Sequence, residues 1–110
     1  MSAIEEMKLF VNKVNNHPEH IAEEKRRGFQ FDIKNDRSVQ IIIEEGSITL
    51  YEEKKVEPDL TLTLSEGDLM KLLKDELNTT MAFMTGKVKV DGKIGLALKL
   101  QELVRKYQSI

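Results

Sequence analysis

The sequence predicts an α+β domain: a five-stranded, mostly antiparallel sheet with all its helices on one face. Three observations predict it. Five short segments alternate apolar and polar residues, the period of a strand half exposed to water. All five agree on which side is dry, and a sheet with one solvated face carries its helices on the other. Helical periodicity brackets them, at the start of the chain, between the fourth and fifth strands, and at the end.

The first helix opens on Ser2-Ala3-Ile4-Glu5, a capping-box pattern. Ala3, Met7, Phe10, Val11 and Val14 then share one helical face. The helix is expected to stop near Asn15-Asn16, because Pro18 restricts His17 to extended backbone. Glu19 to Arg27 is charged, with one or two loose helical turns expected around Ile21.

A three-strand meander follows. Phe29, Phe31 and Ile33 alternate with Gln30 and Asp32, and Asn35-Asp36 supplies turn chemistry. Val39, Ile41 and Ile43 alternate with Gln40, Ile42 and Glu44, where Ile42 is the one misfit. After Glu45-Gly46, Ile48 and Leu50 alternate with Thr49 and Tyr51. Glu52 to Asp59 reads as a charged loop, and Leu60, Leu62 and Leu64 form a fourth strand with Thr61 and Thr63. Phe31, Ile41, Ile43, Leu62 and Val88 are expected to face the helices. Gln30, Gln40, Thr61 and Lys89 are expected to face solvent.

Ser65 and Asp68 signal a helix start, with Leu69, Met70, Leu72 and Leu73 on its apolar side. Asn78 or Thr79 caps a short helix carrying Met81, Ala82, Phe83 and Met84. Gly86 ends it, Val88 and Val90 mark a fifth strand, and Gly92 turns the chain into the last helix. That helix is overloaded with apolar residues. Leu96, Leu100, Leu103, Val104 and Tyr107 already make one stripe, and Ile94, Ala97 and Leu98 widen it. Either this helix is wedged deep in a core, or it also walls an apolar cavity.

Composition excludes several functions. A chain of 110 residues is one domain, here 1–110, without need of staples. Without cysteine there is no disulfide framework, thiolate metal site or thiol catalysis. A net charge of -2 with 33% charged residues gives no basic footprint for nucleic acid, and the few aromatics give no stacking platform. No apolar run is long enough to span a bilayer, so no stable membrane insertion is expected.

Gly86 to Ile94 superficially suggests a phosphate-binding loop. It has five residues between its glycines where the loop needs four, and Ile94 stands where Ser or Thr is required. His17 and His20, the only histidines, lie in a polar loop, and a metal would need a third ligand. The many carboxylate pairs have basic neighbours and read as solvated surface. No catalytic residue, metal site or cofactor is therefore expected.

Ala82-Phe83-Met84-Thr85-Gly86-Lys87-Val88-Lys89-Val90, then Gly92 and Gly95-Leu96-Ala97-Leu98-Lys99-Leu100, resembles the sterol carrier protein type 2 family. Phe29 to Ile33 looks like that family's first strand, and Pro58 to Ser65 like its fourth strand and following cap. Where many members carry Asn or Asp after the second glycine, this chain has Lys93. The resemblance implies an apolar tunnel between sheet and helices that holds a fatty acyl chain, acyl-CoA, a sterol or another lipid without covalent chemistry. It implies a lining of Leu69, Leu73, Leu77, Met81, Met84, Leu96, Leu100 and Leu103 over a floor of Phe31 and Ile43. The final Gln108-Ser109-Ile110 is not a peroxisomal tripeptide, and a cytoplasmic protein is expected. The alternatives are an interaction or dimerisation module, and an accessory factor that presents an isoprenoid-type lipid to partner enzymes.

Overall fold

The computed structural model describes residues 2–110. Ser2 caps α1 (Ala3–Asn16): its hydroxyl accepts from Glu5 N at 3.2 Å, and Glu5 Oε1 accepts from Ser2 N at 3.2 Å. This reciprocal pair satisfies two otherwise orphaned donors and holds the Glu5 carboxyl below its usual range. The five stripe residues of α1 are all buried. A single 3-10 turn, Pro18–His20, leads to the fully buried Ile21.

The strands are β1 (Arg27–Ile33), β2 (Ser38–Glu44), β3 (Ser47–Tyr51), β4 (Leu60–Leu64) and β5 (Lys89–Gly92). They form one sheet in the order β3-β2-β1-β4-β5. Every neighbouring pair is antiparallel except β1 with β4, so the sheet is mixed. The register aligns the expected rows. Leu50, Ile41, Phe29 and Leu60 lie side by side on the dry face, as do Val39, Phe31, Leu62 and Val90. The fifth strand begins at Lys89, one residue after the Val88 that its alternation suggests, with Val88 buried just ahead of it.

The remaining helices are α2 (Glu66–Leu73), α3 (Thr79–Met84) and α4 (Ile94–Gln108). Ser65 caps α2 and Asn78 caps α3, each accepting from the backbone N–H three residues on. Buried residues of all four helices join the sheet's dry face in one apolar cluster. Polar side chains tie the layers together. Asn15 exchanges two hydrogen bonds with Ile48 of edge strand β3, at 2.8 and 2.9 Å. Gln101 and Gln108 of α4 donate to the carbonyls of Leu77 and Leu73.

The wet face departs from expectation at Gln40, which is fully buried. Segment 52–58 folds back across this face, and Gln40 is what holds it. Its Oε1 accepts from Lys55 N and Val56 N, at 2.9 and 3.2 Å. Its Nε2 donates to Val56 O and Gln30 Oε1, at 2.8 and 2.9 Å. A buried amide with all these partners costs little, whereas an unpaired one would be expensive. The same strap explains Ile42, which pairs with Gly28 on this face and is buried with it. A Cβ on Gly28 would stand 3.1 Å from Val56 Cγ2. Gln30 and Thr61 are half-buried, and Lys89 is exposed.

Candidate functional site

The space between the dry face and α4 is where an apolar ligand would have to sit, and the last helix divides its residues in two. Ala97, Leu100, Leu103, Val104 and Tyr107 are buried. Ile94 and Leu98 are exposed, so of the three residues that widen the stripe only Ala97 faces inward. Tyr107 anchors the C-terminal half. Its hydroxyl donates to His17 O at the end of α1, and its ring meets Phe10 edge-on at 6.2 Å. Burial pushes the Tyr107 phenol above its ordinary pKa.

A cavity of about 200 Å³ opens beside this helix. Its apolar lining is Phe29 and Ile43 from the sheet with Leu100 and Leu103 from α4, and its rim is His20, Glu24, Lys99, Glu102 and Lys106. The rim is laced by ion pairs. Lys99 Nζ lies 2.8 Å from Glu24 Oε1 and Lys106 Nζ lies 3.5 Å from Glu102 Oε1; Arg27, outside this lining, has its Nε 3.7 Å from the same Glu24 oxygen.

Of the ten residues the sequence nominated, Ile43, Leu100 and Leu103 meet at this cavity. Phe31, Leu69 and Leu73 are buried in the common core. Leu77 and Leu96 are half-buried against it. Leu77 edges an open cleft of about 880 Å³ with Leu98 and Gln101, and Leu96 edges another of about 520 Å³ with Arg27 and Lys93. Met81 and Met84 lie on the outer side of α3, 55% and 74% exposed. With Phe83, Ile94 and Leu98 they are the exposed large apolar residues of α3 and the first half of α4. The sequence reading did not nominate Phe29 as a lining residue, although it shares a row with Ile41 and Leu60 and its alternation was visible.

Nothing among the described residues gathers three or more His, Cys, Asp or Glu side chains where a metal could bind. His20 instead stacks edge-on against Tyr107 at 5.3 Å. No helix of the described residues is long and apolar enough to cross a membrane.

Residues 7–105, which span the sheet and nearly all of the four helices, match the model of the SCP-2 sterol transfer family. The chain belongs to that family. Bovine (Bos taurus) sterol carrier protein 2 is 38% identical over 72 residues, covering 66% of this chain and 11% of that protein. The chain thus spans only about a ninth of the curated relatives of that name. The solution structure of sterol carrier protein domain 2 from Helicoverpa armigera is 31% identical, with a TM-score of 0.66 over 94% of this chain and 86% of that one. The palmitated SCP2L2 of Aedes aegypti superposes with a TM-score of 0.72 at 20% identity, over 94% and 95% of the two chains. These likenesses assign the SCP-2 domain its mixed sheet and four helices.

Proposed function

We propose that residues 1–110 form a single cytoplasmic SCP-2 domain that binds an apolar chain between the sheet's dry face and α4, and carries or presents it without catalysing a reaction. The observation that carries this reading is the cavity itself: Phe29, Ile43, Leu100 and Leu103 form an apolar floor under a charged rim. Palmitate on the Aedes aegypti relative supports an acyl chain as the ligand class. At about 200 Å³ the cavity is below the roughly 300–1,000 Å³ of filled ligand sites, so binding widens it. Movement of α4 or of segment 21–26 supplies that space, and the inward-facing nominated residues Phe31, Leu69, Leu73, Leu77 and Leu96 then border the widened tunnel, with the outward-facing Met81 and Met84 left outside it.

Each methylene buried contributes about 0.8 kcal/mol, or roughly fourfold in affinity. Delipidated protein titrated with saturated fatty acids should therefore bind more tightly with each added carbon, then level off once the space is full. Leu100→Glu should abolish binding if the fold survives, which circular dichroism checks first. A flat chain-length series would overturn the reading.

A second reading rests on the exposed Met81, Phe83, Met84, Ile94 and Leu98. A patch of this kind suits a partner enzyme or a second copy of the chain, the domain then acting as an interaction module or as a presenter of an isoprenoid-type lipid. Native mass spectrometry of purified protein separates the two, because it reports bound lipid and oligomeric state together.

A further inference from the structure

The sheet has two edges, and the chain treats them differently. At β3, α1 packs beside the strand, and Asn15 takes up the outward C=O and N–H of Ile48 at 2.8 and 2.9 Å. An edge covered in this way is a poor template for another strand. At the other end of the sheet order, β5 has no such cover among the described residues: Lys89, Asp91 and Gly92 are exposed and Val90 is half-buried. The ladder fixes which of its backbone groups face out. Lys34 N donates to Leu64 O, so Leu64, and with it Leu62 and Leu60, turn their backbone groups to β1. Those groups alternate sides along a strand, so Thr61 and Thr63 bond to β5 through their partners Asp91 and Lys89. Val90, between them, turns its N–H and C=O to the open edge.

This edge can meet a copy of itself about a two-fold axis in registers centred on Lys89, Val90 or Asp91. The first sets Lys89 against Lys89 and the last sets Asp91 against Asp91. The register centred on Val90 sets Lys89 against Asp91 of the second copy at both symmetric positions on the wet face, and Val90 against Val90 on the dry face. Opposite charges directly across a strand pair stabilise it, and like charges destabilise it. Among the described residues neither Lys89 nor Asp91 has an ion-pair partner in its own chain. Lys87 and Lys93 lie beyond the strand, on the far sides of Val88 and of Gly92 with its φ of +119°, where the chain leaves the ladder. Their repulsion across the interface is screened and limits its strength.

We propose that β5 pairs with β5 of a second copy in the Val90-centred register and joins the two sheets into one. Each Val90 N–H donates to the Val90 carbonyl of the other copy. The surface is separate from the cavity under α4 and from the apolar residues of α3, and it needs no ligand. Because the strand is short, the dimer is reversible and set by concentration.

Sedimentation equilibrium and amide exchange on the full chain test this. Up to roughly millimolar concentration the wild type should pass from monomer to dimer. Exchange at the Val90 amide should slow in parallel, while the amides of Thr61 and Thr63, bonded within each chain, stay unchanged. Asp91→Lys and Lys89→Asp each set like charges opposite at both symmetric positions, and each should raise the dissociation constant of the homodimer roughly tenfold or more. An equal mixture of the two variants should dimerise again, since every pair across the axis is then of opposite sign, and the chain with both substitutions should dimerise like the wild type. Both side chains are exposed, and far-UV circular dichroism confirms each fold. A wild type that stays monomeric throughout would overturn the proposal. So would a dimer indifferent to both single variants, or a mixture that fails to recover, either of which would place the contact elsewhere, as on the apolar residues of α3.

Discussion

Helices α1 and α3 carry similar apolar content and treat it in opposite ways. In α1 the whole helical stripe, Ala3 to Val14, is buried, and Leu9 on the opposite side is exposed. In α3 only Thr79 and Ala82 are buried, while Met81, Phe83 and Met84 point outward. The difference lies in length and neighbours. With 14 residues, α1 presents a continuous stripe and packs on β3, α2 and α4. With six, α3 makes less than two turns, and one buried alanine cannot bring a second side against the core. Apolar periodicity reports burial where a helix is long enough to have a face; in a helix of one turn and a half it reports apolarity alone.

The sharpest way to break this contrast is to truncate one methionine in each helix. Met7→Ala should cost about 2–5 kcal/mol in chemical denaturation, the range for a buried side chain removed without collapse of its cavity. A loss below about 1 kcal/mol would mean that the α1 stripe is not tightly packed. The helix caps come next. Ser2→Ala and Asn78→Ala should each cost their helix about 0.5–2 kcal/mol. The Ser2 variant should lower global stability, whereas the Asn78 variant should mainly speed amide exchange within α3. Equal global losses would erase the distinction between the two helices.

Tyr107→Phe tests how firmly α4 grips the end of α1. Loss of its bond to His17 O should cost about 0.5–1.5 kcal/mol. Because burial raises the folded-state pKa of this phenol, the folded chain keeps a proton that the unfolded chain releases near pH 10. The stability from this group is complete below about pH 10 and is lost as pH rises through the folded value. The Phe variant should lack that alkaline loss, and matching alkaline melts of variant and wild type would contradict this assignment. The smallest effect belongs to Met84→Ala, within about 0.5 kcal/mol, as for a surface side chain. If Met84→Ala approached Met7→Ala in cost, the patch on α3 would be covered in solution, and a copy-to-copy interface would show as a concentration-dependent melting temperature.

Most of the framework was legible. The α1 stripe, both Ser caps, the Asn78 cap and the dry rows of the sheet follow from period and capping chemistry. What was not legible was everything that depends on a third body. Alternation assigns Gln40 to the face away from the helices, correctly, but says nothing of the strap that buries it. Ile42 was the trace of that strap, an apolar residue on a face otherwise polar. At the site, Ile43, Leu100 and Leu103 were found because they are apolar and face inward. The pairing of Glu24 with Lys99 at the rim was not legible, since it depends on a loop and a helix converging. Met81 and Met84 were nominated by their neighbourhood in sequence, which in a six-residue helix does not fix direction.

The parallel pairing of β1 with β4 has a consequence in time. The meander from β1 to β3 closes through short turns, but Gly28 and Asp59, which bond reciprocally at 2.8 Å, are 31 residues apart. Loop-closure entropy makes that junction later than the meander, and β5 and α4 cannot dock until β4 is in place. Gly92 then meets a finished strand: it has φ +119°, and a Cβ there would fall 2.6 Å from Asp59 O. Gly92→Ala should thus hasten unfolding far more than it slows folding in stopped-flow kinetics. On this order the helix that covers the cavity should be the last part of the chain to arrive, leaving the apolar floor open to solvent until it does.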